Sequence, residues 1–196
     1  TGLGHKLIEV DFSELSSGIC SYYVIAPAEC SSNLSRFDGV KYGYRSEGEK
    51  DIANLYMNTR SDGFGDEVKK RILIGTHVLS AGFYDAYYLQ AQKVRRMIKV
   101  KFEDFFKDVD LIFMPTTLDQ AFEKNRKSDD PNRMYKEDLL TIPANLAGLP
   151  AISFPNGFKN NLPIGGQLIG KYFGEDLLLN TTNKIQEVTD WHKMTP

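Results

Sequence analysis

From about Asp66 the sequence takes on a helical period that holds as far as Lys107, and this stretch constrains the fold more than any other. The pattern predicts one helix over residues 67–81, ended by Gly82, and a longer one over residues 84–107. Short apolar runs of strand type follow. One covers residues 110–114 and is closed by Pro115; two more cover residues 151–154 and 163–169, the last carrying Gly165 and Gly166. Strands separated by helices indicate an α/β layered domain. Because these strands are few and far apart, they are expected to complete a sheet whose other strands lie outside this chain, with exposed edges if the chain stands alone.

The remaining segments are read the same way. Alternation over residues 6–12 predicts a strand, and Ser16-Ser17-Gly18 a loop. Residues 21–34 read as a helix with Pro27 inside it, so a kink or an early break is expected. Residues 39–48 are turn-rich. Asp51 caps a short helix through about Asn58, and residues 61–65 form another turn cluster. Residues 122–133 are polar and loop-like. Residues 134–142 read as a short helix stopped by Pro143, with a turn over 145–148. A terminal amphipathic helix is expected over residues 174–191, with Leu177, Leu178, Ile185 and Val188 on one side.

At 196 residues the chain is long enough for one domain with a sizeable core. Its hydrophobic fraction of 41% and charged fraction of 26% are those of an ordinary globular protein. A net charge of −2 excludes a chain-wide electrostatic nucleic-acid binder; an RNA contact needs a local basic patch or a partner. The basic stretch Lys93, Arg95, Arg96, Lys99 and Lys101 reads first as a solvated helix face, with an RNA or partner-protein contact as the sharper alternative. Cys20 and Cys30 are the only cysteines and have no neighbouring His cluster. They read as two reduced, buried thiols of an intracellular protein, not as a zinc site. Asn33-Leu34-Ser35 and Asn180-Thr181-Thr182 match a glycosylation sequon, but no signal peptide precedes them. No apolar run approaches the ~18 residues of a membrane span. The opening at Thr1, with neither Met nor targeting segment, reads as a fragment or processed product.

Two charged residues fall where helical periodicity predicts packing. At about 100° per residue, Val68, Ile72, Gly75 and Leu79 share one side of the helix, with Arg71 near that sector and Lys69, Lys70 and His77 pointing away. A guanidinium stays charged, so an arginine there requires an anionic partner. Asp138 shares a face with Met134 and Thr141, and a carboxylate on a packed face is costly unless paired. Arg71 and Asp138 either pair with each other in the core or hold opposite ends of a zwitterionic ligand, such as an amino acid. Periodicity alone favours the core pair.

Three blocks of sequence carry a resemblance. The first runs from Tyr22-Tyr23-Val24-Ile25-Ala26-Pro27-Ala28-Glu29 through Asn33-Leu34-Ser35-Arg36-Phe37-Asp38-Gly39 to Tyr42-Gly43-Tyr44-Arg45. The second is Arg71-Ile72-Leu73-Ile74-Gly75-Thr76, with Leu79-Ser80-Ala81-Gly82-Phe83-Tyr84 and the residues after it. The third is Met134-Tyr135, Asp138, then Thr141-Ile142-Pro143-Ala144-Asn145-Leu146-Ala147-Gly148-Leu149-Pro150 and Leu162-Pro163-Ile164-Gly165-Gly166-Gln167-Leu168. The chain resembles the C-terminal portion of the amidase signature family, and its first two blocks resemble the A subunits of the tRNA-dependent amidotransferases within it. The resemblance implies that residues 1–196 are the C-terminal portion of a single amidase domain. It implies an α/β/α sandwich around a mixed β-sheet, incomplete in this chain.

The resemblance also implies roles. Arg71 would grip the α-carboxylate of glutamine, Asp138 would hold its α-amino group, and Tyr22 would line the same pocket. This puts substrate holding ahead of the core pair. The full enzyme would hydrolyse glutamine through a serine, giving a γ-glutamyl acyl-enzyme and ammonia. A partner B subunit would use the ammonia to amidate ATP-activated glutamyl-tRNA, with Mg2+ for the ATP step and a C subunit completing a heterotrimer. Aminoacyl-tRNA would be met mainly through the partner. Bacterial cytoplasm, mitochondrion and plastid all fit such an enzyme.

The family's Ser–Ser–Lys nucleophile set is not found in this chain. Ser16-Ser17 and Ser31-Ser32 are its only serine pairs, and neither sits in a Gly-rich loop with a placed lysine. His5, His77 and His192 offer no hydrolase triad. No catalytic residue, metal ligand or cofactor site is therefore assigned, and the chain alone is expected to be inactive. Pro115-Thr116-Thr117 and Pro155-Asn156-Gly157 depart from the family pattern and are expected in loops near strand ends. Another amidase acting on small amides, or a non-catalytic assembly module, are the alternatives.

Overall fold

The computed structural model describes residues 2–124 and 137–195. The chain divides into two compact units: a helical unit, Cys20–Lys93, and a sheet unit made of Thr1–Ile19 and Val94–Pro196.

The helical unit is built on α1 (Gly18–Leu34), α2 (Ile52–Gly63) and α3 (Asp66–Val78). Helix α1 runs through Pro27 to Leu34, so the early break expected at the proline does not occur. The loss of one amide donor is outweighed by packing: Ile25, Pro27 and Ala28 are all buried. Asp51 caps α2 as its sequence predicts, accepting from the backbone N–H of Asn54 at 2.9 Å. The helix then continues past Asn58 to Gly63, absorbing most of the expected turn cluster. Arg60 of α2 donates to the carbonyls of Leu34 (2.8 Å) and Phe37 (3.0 Å), so a cation satisfies the end of α1, where the helix dipole favours positive charge. Thr59 is buried, and its hydroxyl accepts from the N–H of Ser46 at 3.0 Å. Helix α3 ends at Val78, short of Gly82, and residues 84–88 form a π turn in place of the expected start of the next helix.

Helix α4 (Leu89–Asp108), which belongs to the sheet unit from Val94 on, carries the fully buried Ile98 and Phe102 there. Phe12 stacks on Phe105 and meets Phe102 edge-on. Residues 5–12 form no strand; Phe12 is held by these rings, and the alternation before it points to exposed positions. A Cβ on Gly18 would stand 3.2 Å from Ile98, 3.4 Å from Ile142 and 3.5 Å from Leu146. The last two lie on α5 (Ile142–Ala147), whose second residue is Pro143. The proline expected to stop a helix thus opens one, because its missing N–H falls among the first-turn donors that have no helical acceptor. Gly148 ends α5 in the left-handed region, φ 73°, donating to Asn145. Residues 134–136 of the expected helix, Met134 included, lie outside the described residues.

Three strands follow: β1 (Leu111–Pro115), β2 (Ala151–Lys159) and β3 (Leu162–Gly170), in the order β1-β3-β2. Both pairings are antiparallel, with Ile112 opposite Ile169 and Ile152 opposite Leu168. Asn160 and Asn161, both at positive φ, make the two-residue connection between β2 and β3, the pattern of a type I′ turn. Pro155-Asn156-Gly157, expected in a loop, lies inside β2 at a bulge where the register shifts before Phe158. Helix α6 (Glu175–Glu187) covers the sheet, burying Leu178 against Phe154 and Leu168, with Ile185 alongside. Leu177 and Val188, expected on that buried side, are exposed; Thr182 takes the inward position. The basic stretch is not one solvated face. Arg95 donates to the carbonyl of Leu146 at 3.0 Å, Lys101 pairs with Glu14, and Lys99 lies over the ring of Tyr172.

Candidate substrate-holding site

The close approach of α3 to α1 sets the geometry around Arg71. A Cβ on Gly75 would lie 1.9 Å from the carbonyl oxygen of Pro27 and 2.8 Å from Cβ of Ser31, so only glycine allows these helices to meet there. One turn back on α3 stands Arg71; about one turn back on α1 stand Tyr22 and Tyr23, packed edge to face at 5.2 Å between ring centroids. Both tyrosines are near enough to the Arg71 guanidinium to act on it electrostatically.

Arg71 is half-exposed, and its Nε donates to Oε1 of Glu67 at 3.1 Å, one turn earlier on its own helix. Its charge is thus balanced locally, and no carboxylate from the core is needed for that purpose. The bond to Glu67 raises the Arg71 pKa above its ordinary value; burial opposes this, and the charges of Glu67, Tyr22 and Tyr23 add to the rise. With Nε engaged, the two terminal nitrogens make no hydrogen bond among the described residues, and they form the fork that fits a carboxylate.

Asp138 belongs to the sheet unit. Its backbone carbonyl accepts from Thr141 N–H (3.2 Å) and Ile142 N–H (3.0 Å), which closes the turn that leads into α5. The residue is half-buried. The segment that carries it is tied to the sheet by Gln167 of β3, which is only 3% exposed. The Gln167 side-chain amide donates to the carbonyl of Leu140 at 2.8 Å and to that of Pro115 at 3.3 Å. Sequence reasoning assigns Gln167 no role; a polar residue inside an apolar strand, next to two glycines, is the signal that marks it.

Three of the four paired serines bond to the backbone of their own turns. The hydroxyls of Ser16 and Ser17 bond back to the carbonyls of Ser13 and Glu14, and that of Ser31 to Ala28. His5, His77 and His192 are exposed, with His77 against the ring of Phe83. Cys20 and Cys30 are free, as expected, but Cys20 is exposed and Cys30 half-buried, correcting the expectation of buried thiols. Among the described residues no three His, Cys, Asp or Glu side chains converge in a way that fits a metal ion, and no helix is long and apolar enough to cross a membrane.

The α/β architecture and the sequence together define the class. Residues 1–179 match the family model described as Amidase, and the chain belongs to the amidase family. Over 194 residues it is 58% identical to the A subunit of glutamyl-tRNA(Gln) amidotransferase from Hahella chejuensis and 55% identical to that from Coxiella burnetii, covering 99% of this chain and 40% of each relative. Among solved structures it is similar to the A subunit of the same enzyme from Thermotoga maritima, at 43% identity and a TM-score of 0.55, over 83% of this chain and 30% of that one. A 6-aminohexanoate cyclic dimer hydrolase shares the fold, with a TM-score of 0.67 at 19% identity over 100% of this chain and 40% of that one.

Proposed function

We propose that this chain is the glutamine-holding portion of the glutaminase component of a tRNA-dependent amidotransferase. The observation that carries the reading is Arg71: a permanently charged guanidinium, oriented by Glu67, with its terminal nitrogens unengaged among the described residues and set beside Tyr22. That arrangement suits the α-carboxylate of an amino acid. Asp138, on the segment that opens α5, supplies the anion for the α-ammonium. The names of the relatives support glutamyl-tRNA(Gln) amidation as the reaction served.

On this reading the whole enzyme hydrolyses glutamine and passes ammonia to a B subunit, which converts Glu-tRNA(Gln) to Gln-tRNA(Gln) with ATP and Mg2+, while a C subunit completes the assembly. ATP, Mg2+ and most of the tRNA contact belong to the partners. The chain spans about 40% of the length of its curated relatives, and on this reading it is the C-terminal portion of one amidase domain. The hydroxyls of Ser16, Ser17 and Ser31 bond back to their own turns, in keeping with a nucleophile supplied from outside residues 1–196, and on this reading the chain alone is inactive as a glutaminase.

The test is Arg71→Ala in the natural polypeptide that carries this sequence, assembled with its partners. Losing a bidentate carboxylate contact of about 2–3 kcal/mol weakens glutamine binding about 30- to 150-fold, while free ammonia still supports amidation. An unchanged KM for glutamine would sink the proposal.

A further inference from the structure

We infer that Gln167 is a positioning residue for the ammonium-holding carboxylate of Asp138; this rests on the glutamine-holding reading above. An amide 3% exposed in the middle of a three-stranded sheet is costly unless its N–H groups are used, and here both are directed at main-chain carbonyls. One is Pro115, the last residue of β1, at 3.3 Å; the other is Leu140, two residues after Asp138, at 2.8 Å. Gln167 therefore ties three pieces of backbone at one point: its own strand, the end of β1 and the turn that leads into α5.

The hydrogen bonds within that turn set its shape and not its place. Thr141 and Ile142 bond back to the carbonyl of Asp138, which closes the turn without fixing it relative to the sheet. Residues 138–141 are not part of the strand pairing of β1 or β3. The Leu140 carbonyl, held by Gln167, ties the turn to the sheet and so helps to set where the backbone of Asp138 stands. Gly166 and Gly165 keep the neighbouring positions open: a Cβ on Gly166 would meet Phe113 at 2.9 Å, and one on Gly165 would meet Thr116 at 2.8 Å. A side chain at either position would force the Phe113 ring or the Thr116 side chain to move beside the Pro115 carbonyl.

The test measures binding to the natural polypeptide carrying this sequence, with two ligands. One is glutamine; the other is 4-carbamoylbutanoate, which keeps the amide and the carboxylate and lacks the α-ammonium. Gln167→Leu should weaken glutamine about tenfold and leave 4-carbamoylbutanoate within about twofold. Asp138→Asn should show the same selective loss. Should Gln167→Leu fail to fold, Gln167→Asn keeps a buried amide but shortens it by one methylene, and it should show the same selectivity. Equal losses for both ligands with either folded variant, or no loss for either ligand, would overturn the positioning role while Asp138→Asn still discriminates. If Asp138→Asn does not discriminate, the reading of Asp138 itself fails and this inference falls with it.

Discussion

Gly75 shows how one missing side chain decides a helix crossing. Its α-carbon faces the main chain of Pro27, and the added methyl of an alanine would stand 1.9 Å from a backbone oxygen that has no rotamer to move into. Gly75→Ala is therefore expected to destabilise the fold by about 1–3 kcal/mol and to move Arg71 away from Tyr22, lowering both the urea midpoint and the affinity for glutamine. Normally alanine in place of a helical glycine is worth up to about 1 kcal/mol of stabilisation, so the sign of the change is the informative result. The periodicity of α3 places Gly75 and Arg71 near one face of the helix, and that much is legible in the sequence. Glu67 as the partner of Arg71 is less so. A helical face that looks buried calls for a distant carboxylate, whereas the half-exposed arginine finds its acid one turn away on its own helix. Gln167 escapes sequence reasoning for a related cause: its acceptors are main-chain oxygens of Leu140 and Pro115, which no side-chain pattern encodes.

At the scale of elements, local capping chemistry is the most readable signal. Asp51 is expected to start a helix and does so, with Asn54 donating both its backbone and side-chain N–H groups to the carboxylate. Asp51→Ala should cost about 1 kcal/mol, read as a fall in thermal or urea midpoint, with Asp51→Asn recovering most of it. Proline is the least readable. Pro27 sits inside a helix that continues to Leu34, and Pro143 opens α5 instead of closing the preceding helix. Both have the same cause: the ring removes a donor, and whether that breaks a helix depends on whether the donor had an acceptor and on what the ring packs against. The strand expected over residues 6–12 does not form: among the described residues it pairs with no other strand, and an alternating run forms a strand only when another offers it hydrogen bonds.

For the molecule as a whole, the α/β class follows from the alternation of helical and strand-like runs, and the amidase family from the three blocks of resemblance. The sheet topology does not follow. The turn at Asn160-Asn161 joins β2 to β3 through two residues, whereas β1 reaches β3 only after the chain has passed through α5 and β2. This difference has a consequence in time. Closing a two-residue turn costs little chain entropy and takes microseconds, so the hairpin can form before anything distant has arrived. Strand β1 must wait for the intervening chain to order itself. Refolding of the natural polypeptide is therefore expected to show an early phase sensitive to Asn161→Ala, which removes a residue suited to positive φ, and a later one sensitive to Ile112→Ala in β1. A single phase slowed equally by both substitutions would contradict that order. Because the Pro115 and Leu140 carbonyls come to Gln167 with these later pieces, the Asp138 segment is among the last parts to take its place, and the proposed holding of glutamine would be acquired at the end of folding.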